Sequence, residues 1–253
     1  MKFWKRPELL WRVALVGILL LFGLIWLPPA DVPASSDLKM EVPPSGNGQK
    51  LAALTFDDGP HPEYTGPLLD GLKERGIKAT FFLVGTQIQY APELVPRMAR
   101  EGHQIGVHTY SHVSVTGLEQ EEFSLQVEGT RRLIYSMLGE RELWLRPPYG
   151  ILDENAQKWA DGPIILWSVD PEDWKDDNVR RIKDHLVTHV RDGDIILMHD
   201  IYPSSVEAAL EAVDELCGRG FRFVTVAELM EARGITPQSG QICKRAEGKK
   251  GTQ

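Results

Sequence analysis

The chain has 253 residues but only two cysteines, Cys217 and Cys243. That count defines no disulfide framework, so cohesion has to come from apolar burial. Cys217 falls in a predicted helix and Cys243 close to the C-terminus; free thiols are expected, with a single bridge as the alternative. A basic face is also missing. The formal net charge is −8, yet Lys2, Lys5, Arg6 and Arg12 make one end basic, and Lys244, Arg245, Lys249 and Lys250 the other. The acidity is therefore concentrated in the middle, which argues against nucleic acid as a partner. No internal repeat and no second domain boundary is visible. An unbroken apolar run of about 20 residues, the length of a full membrane span, is lacking too.

One stretch comes close to such a span. Basic residues lead into the apolar run Val13–Leu27, and Leu9, Leu10 and Trp11 extend it if Arg12 snorkels. Residues 1–28 read as an uncleaved anchor with its N-terminus inside, because the positive charges precede the run. Cleavage after Ala30 or Ala34, with release, is the alternative. On either reading the remaining chain is exported, held at the cell membrane by a single pass or secreted. Residues 29–49 are rich in Pro, Ser and Gly and read as a flexible stalk. Residues 238–253 read as a basic, disordered tail.

Between them, residues 50–237 have the pattern of one globular domain. Short apolar runs at Leu51–Phe56, Ala79–Val84, Gln104–Val107, Leu143–Leu145, Ile164–Val169, Ile195–Met198 and Phe221–Val224 alternate with helical patterns. The helices are expected near 63–75, 91–101, 119–138, 153–160, 178–191, 205–218 and 226–233. Val206, Ala209, Leu210, Val213 and Leu216, for example, form one apolar stripe. About seven strand–helix units with continuously apolar strands predict an α/β fold with a parallel sheet. A doubly wound sheet fits this alternation as well as a barrel does.

The residues just past the strands decide between them. The first run ends in Asp57-Asp58-Gly59-Pro60. Two adjacent carboxylates repel each other, and a divalent cation would compensate them; a solvated Asp-Gly turn is the bland alternative. The third strand is followed by His108-Thr109-Tyr110-Ser111-His112, histidines four apart that can share a metal. The helical zinc-protease glutamate is absent there. Arg146 heads Arg-Pro-Pro-Tyr-Gly, Asp170 heads Asp-Pro-Glu-Asp-Trp, and His199 ends Leu197-Met198-His199. Each alone reads as an ordinary strand-end or core residue. Together they put chemically capable groups at five strand ends, where a β/α barrel keeps its active site.

In this order, TFDDGP, HTYSH, RPPYG, DPEDW and LMH resemble the five motifs of the polysaccharide deacetylases, the NodB-homology family-four carbohydrate esterases. The resemblance covers about residues 50–233. It implies a distorted (β/α) barrel that removes N-acetyl groups from sugar polymers with one divalent metal ion, often zinc. It further implies that Asp58, His108 and His112 hold the metal and that Asp57 is the general base, oriented by Arg146. The backbone N–H of Tyr149 would face the oxyanion. His199 would protonate the leaving amine with Asp173 behind it, and Trp174 and Leu197 would wall the acetyl methyl. Pro147 and Tyr149 are further substrate contacts, while Asp170 is a structural carboxylate. Val107 departs from the asparagine common before the first histidine. Tyr149 leans toward N-acetylglucosamine, because members acting on muramic acid often carry another residue there.

Peptidoglycan next to the membrane is the expected substrate and a monomer the expected state. Chitin oligomers, acetylated xylan and an exopolysaccharide are alternatives. A glycosidase would use the carboxylate pairs but leaves the histidines unexplained. A non-catalytic sugar-binding module would lack one or more of these groups.

Overall fold

In the computed structural model, which describes residues 49–247, β1 (Lys50–Asp57) is the central strand. Every residue of it after Lys50 is buried, as expected for a parallel strand covered on both faces. One edge of β1 pairs with β5 (Ile195–His199) from Ala53↔Ile195 to Asp57↔His199. The other edge is shared: β6 (Phe221–Val224) pairs with its first half and β2 (Thr80–Leu83) with its second. β3 (Gln104–Val107) continues the sheet beyond β2. All of these pairings are parallel.

The ladder then returns to its start. Val107 bridges Leu145, Leu145 bridges Ile164 in β4 (Ile164–Ile165), and Val169 bridges Ile196 in β5. The segment from Ile164 to Val169 thus bonds one neighbour with its first residues and the opposite one with its last. This ring of hydrogen bonds is consistent with the expected barrel. Its distortion sits at two predicted strands. Leu143–Leu145 contributes a single bridging residue, Leu145, and Ile164–Val169 is a strand for two residues.

Helices cover the outside: α1 (Thr65–Glu74), the short α2 (Gly85–Ile88), α3 (Leu94–Arg100), α4 (Gln120–Leu138), α5 (Glu154–Trp159), α6 (Val179–His189), α7 (Pro203–Gly218) and α8 (Val226–Ala232). Seven of them match the sequence pattern. The one not foreseen, α2, is a single turn that periodicity over a longer window does not register.

Strand alternation sorts the side chains. Ala52, Leu54 and Phe56 of β1 pack outward under the helices with Phe81, Leu83, Ile196 and Met198. Leu51, Ala53, Ile195, Phe82 and Trp144 form a separate inner cluster. The next residues in the inward series are Thr55 and Asp57 on β1 and Leu197 and His199 on β5. The inner face is therefore apolar where the strands begin and polar where they end.

The expected disordered tail is corrected for residues 238–247. Ile242–Cys243 forms β7, parallel to β4, and Arg245 bridges Asp194. Because β4 lies beside only a single bridge, its N–H groups need further acceptors. The Ile164 N–H donates to Gln241 O at 2.9 Å and the Leu166 N–H to Cys243 O at 2.8 Å. Cys243 and Ala246 are buried. Both cysteines are free, Cys217 on the surface and Cys243 in the core. Among the described residues no helix is long and apolar enough to cross a membrane. The anchor of residues 1–28 and nearly all of the stalk lie outside the described residues.

Candidate active site

All five sequence motifs meet at the C-terminal ends of the parallel strands and line a cavity of about 390 Å³. Its walls include Asp57, Asp58, His108, His112, Tyr149, Asp170, Trp174, Leu197 and His199. A larger hollow of about 680 Å³ around Lys50, Val187 and Phe221 lies by the start of β1 and contains none of the motif residues.

Arg146 organises one side. It is fully buried, and each of its three nitrogens donates a hydrogen bond. Nη1 donates to Asp57 Oδ1 and Thr55 Oγ1, each at 2.7 Å. Nε donates to Ile165 O at 3.0 Å and Nη2 to Leu166 O at 3.2 Å. The guanidinium also lies 4.1 Å from the Phe82 ring centroid. A buried cation on a buried carboxylate, with further hydrogen bonds to Thr55, Ile165 and Leu166, is the arrangement in which such a pair is tolerated.

Asp58, His108 and His112 converge, with one ligand atom from each lying within 4.8 Å of the others. His108 Nδ1 lies 2.7 Å from Arg146 O. A carbonyl only accepts, so Nδ1 carries the proton and Nε2 presents a lone pair. That Nε2 faces Asp58 Oδ1 at 3.4 Å, and His112 Nε2 faces the same oxygen at 3.1 Å. Asp58 Oδ1 is buried without a hydrogen-bond donor of good geometry. Acceptors converging with no donor between them suit a cation, and a carboxylate with two imidazoles is a suitable donor set for zinc-like metals. The residues therefore fit the divalent metal. Burial alone would raise the Asp58 carboxyl; the two imidazoles outweigh it and hold it far below the usual range. Asp58 in turn pushes His112 up.

The third group is His199, whose Nδ1 lies 2.8 Å from Asp173 Oδ1, while its backbone N–H donates to Asp173 Oδ2 at 2.9 Å. Both carboxylate oxygens are thus spent on one residue. Burial by itself would lower the imidazole, but the bond to Asp173 and the charges of Asp173, Asp57 and Asp58 raise it to about 9.

Five non-glycine residues among those described have positive φ: Asp58 (74°), Thr109 (62°), His112 (55°), Tyr149 (63°) and Glu172 (53°). All five lie in the motif loops. Left-handed backbone at such residues costs energy and persists where surrounding contacts over-determine it, as happens at working sites.

The remaining candidates are distributed around the rim. Tyr149 is 61% exposed and Trp174 50%, with Leu197 buried beneath them in the cavity wall. Tyr149 meets the His112 ring edge-on, with centroids 5.0 Å apart. Pro147 is buried at the start of the Pro148–Gly150 turn and stands outside the cavity lining. Asp170 lines the cavity and also accepts the Glu172 N–H at 2.8 Å, holding its own loop.

Three residues escape the sequence reading. Thr55 bridges Arg146 and Ile196 O; it is within the TFDDGP run, and inward alternation from Asp57 would have found it. Trp167 and Tyr202 both line the cavity. Tyr202 lies three residues past His199, so looking one turn beyond the strand end would have included it. No sequence signal marks Trp167.

A family model described as "Polysaccharide deacetylase" matches residues 45–161. A peptidoglycan-N-acetylglucosamine deacetylase of Bacillus cereus is 36% identical over 208 residues, covering 76% of this chain and 97% of the relative. The peptidoglycan-N-acetylmuramic acid deacetylase PdaC of Bacillus subtilis is 42% identical over 185 residues, covering 73% of this chain and 40% of the relative. The chain spans about two fifths of the length of that relative and of the peptidoglycan-N-acetylglucosamine deacetylase PgdA of Listeria monocytogenes. A solved structure of Bacillus subtilis PdaC superposes with a TM-score of 0.72 at 42% identity, covering 74% of this chain and 93% of the other. With these likenesses and the geometry above, the chain belongs to the polysaccharide deacetylase family.

Proposed function

We propose that this chain hydrolyses N-acetyl groups on a cell-wall polysaccharide, most specifically on N-acetylglucosamine of peptidoglycan, with one divalent metal ion held by Asp58, His108 and His112. The observation that carries this reading is the convergence of that donor set between two differently supported groups, Asp57 on Arg146 and His199 on Asp173. When bound, the cation, for which zinc is the first choice, supplies a Lewis acid that acidifies water and polarises the acyl oxygen.

The protein's own residues divide the remaining work. Asp57, oriented by Arg146, accepts a proton from the attacking water. As oxygen adds to the acyl carbon, the backbone N–H of Tyr149 faces the developing oxyanion. The C–N bond then breaks while the His199 imidazolium donates its proton to the leaving nitrogen, so that acetate and a free amine result. Asp173 stabilises that imidazolium and fixes its orientation. Trp174 and Leu197 enclose the methyl, and Tyr149 presents an exposed aromatic face at the sugar side. Assigning the base to Asp57 on Arg146 and the acid to His199 on Asp173 also disfavours the glycosidase reading, which leaves His199 without a task.

The substrate reading rests on relatives named for peptidoglycan N-acetylglucosamine and on Tyr149. N-acetylmuramic acid is a second reading, favoured by the 42% identity to PdaC. The apolar run before residue 28 supports an exported domain tethered at the membrane, within reach of the wall. Acetate release by the full-length chain tests the proposal, using N-acetylglucosamine pentamer and purified peptidoglycan, with chelator and after zinc is restored. Metal-dependent acetate from either supports the reaction, and the product sugar names the residue attacked. A zinc-loaded, folded protein that releases none from either would sink it.

A further inference from the structure

The segment His108–His112 carries a candidate ligand at each end but belongs to no helix or strand beyond β3, and its backbone is left-handed at both Thr109 and His112. Something outside it must set its shape. Its hydrogen bonds can be followed group by group. The carbonyls of Thr109 and Tyr110 accept from Gly85 N–H at 3.1 Å and Thr86 N–H at 2.8 Å, at the start of α2. The Thr130 hydroxyl adds a second bond to the Thr109 carbonyl at 2.7 Å.

The N–H side of the segment goes elsewhere. Tyr110 N–H and Ser111 N–H both donate to Gln126 Oε1, each at 3.0 Å, and Gln126 Nε2 donates to Ser111 Oγ at 3.0 Å. Gln126 and Thr130 lie four apart on α4, hence on one face of it. The Tyr110 ring is seated between two glycines: a Cβ on Gly85 would stand 2.5 Å from Tyr110 Cδ2, and one on Gly129 3.1 Å from it. α4 therefore grips the segment with a side-chain acceptor, a hydroxyl donor and a gap shaped for one ring.

We infer that Gln126 is a positioning residue for the metal site: by clamping the successive N–H groups of Tyr110 and Ser111 it places His112, the next residue. The inference rests on the metal reading proposed above. Gln126 is not among the ligand atoms and touches the segment only through its backbone and Ser111. Ser111 is exposed, so water can replace the amide of Gln126 as a partner of these N–H groups. Water satisfies the bonds but does not fix the spacing, so the loss should appear in metal affinity and not in folding.

The test is Zn²⁺ affinity of the full-length chain, measured by competition with a chromophoric chelator, together with the Tm of the zinc-free protein. Outer partners of metal ligands typically govern about 10–100-fold in affinity. Gln126→Ala should weaken zinc by that order and leave the zinc-free Tm within about 2 °C, a shift of under about 1 kcal/mol for a domain of this size. Gln126→Glu keeps the acceptor and should restore the affinity to within about threefold, well inside the range governed by such partners. Zinc affinity unchanged in Gln126→Ala would overturn the inference while leaving the metal reading intact. So would a loss that Gln126→Glu does not rescue, or one that tracks an equal collapse of the zinc-free fold. A wild-type chain that binds no zinc would overturn both readings together.

Discussion

His108 Nδ1 and the carbonyl oxygen of Arg146 lie 2.7 Å apart, while the Arg146 guanidinium holds Asp57 at the same distance. One residue thus sets the tautomer of a candidate ligand with its backbone and the orientation of the candidate base with its side chain. The two functions separate on substitution, because any residue at 146 keeps the carbonyl but only arginine supplies the fork.

Arg146→Lys should therefore keep zinc binding and lose turnover. A lysine ammonium cannot bond Thr55, Asp57, Ile165 and Leu166 together from one planar group. A misplaced base costs on the order of 10²-fold in kcat. Arg146→Met goes further and leaves Asp57 buried without its cation, a loss of about 3–5 kcal/mol in stability. Acetate kinetics, zinc titration and chemical denaturation separate these effects.

The His199–Asp173 pair predicts the alkaline limb of the rate profile. His199 is raised to about 9 from an ordinary value of 6.5. A base raised on folding contributes stability that is fully present below pH 6.5 and disappears as pH rises through about 9. The same titration removes the proton that the leaving amine needs, so kcat should fall on the alkaline side. A bound cation offsets the charges of Asp57 and Asp58, so the limb of the zinc-loaded enzyme should lie below the value of about 9 in the metal-free protein. Asp173→Asn should move the limb down by about one pH unit or more, since it removes the largest raising interaction. A limb that stays put in that variant would dissociate Asp173 from the acid.

Metal loss and acid loss should be distinguishable. His112→Ala should lose zinc and activity together, whereas His199→Ala should bind zinc normally yet turn over at least about 10²-fold more slowly. Zinc at about 100 times its Kd should also stabilise the wild-type fold by about 2.7 kcal/mol, read as a rise in Tm that His112→Ala does not show.

Gly59 has no room for a side chain. A Cβ there would stand 2.3 Å from both oxygens of the buried Asp200 carboxylate, which accepts the Thr65 hydroxyl at 2.5 Å. Burial raises the Asp200 carboxyl to about 7. Gly59→Ala should cost about 1–3 kcal/mol and reduce kcat as well, because the displaced turn carries Asp57 and Asp58. Gly66→Ala, where nothing lies within 4 Å of the added carbon, should be neutral or slightly stabilising. Thermal denaturation and acetate kinetics on both variants check the contrast.

Truncation after Gln238 should lower the Tm by several degrees. It removes β7, exposes the edge of β4 and deletes the buried Cys243 and Ala246. For a domain of this size about 1 kcal/mol corresponds to about 2–4 °C. An unchanged Tm would mean that the strand pairing carries no weight.

The tail shows why part of the fold escaped the sequence. Ile242–Cys243 has no apolar periodicity long enough to register, and it becomes a strand only because β4 presents an open edge. The same non-locality shrinks Leu143–Leu145 to one bridging residue. The long elements were legible because their spacing carries the burial pattern within itself. β1 needs only its own alternation to send Ala52, Leu54 and Phe56 to one side and Thr55 and Asp57 to the other.

By itself the sequence determined that chemically capable residues stand at the ends of parallel strands, since strand length and alternation are local properties of the chain. It also determined their types, and with them the candidate donor set Asp58, His108 and His112. Tertiary structure alone decided which groups act on which. Arg146 reaches Asp57 across 89 positions, and Asp173 reaches His199 across 26. The proton on His108 is assigned by a carbonyl 38 positions away. Spacing specifies a face of one element, whereas contacts between elements exist only after the sheet bends round and brings its strand ends to one centre.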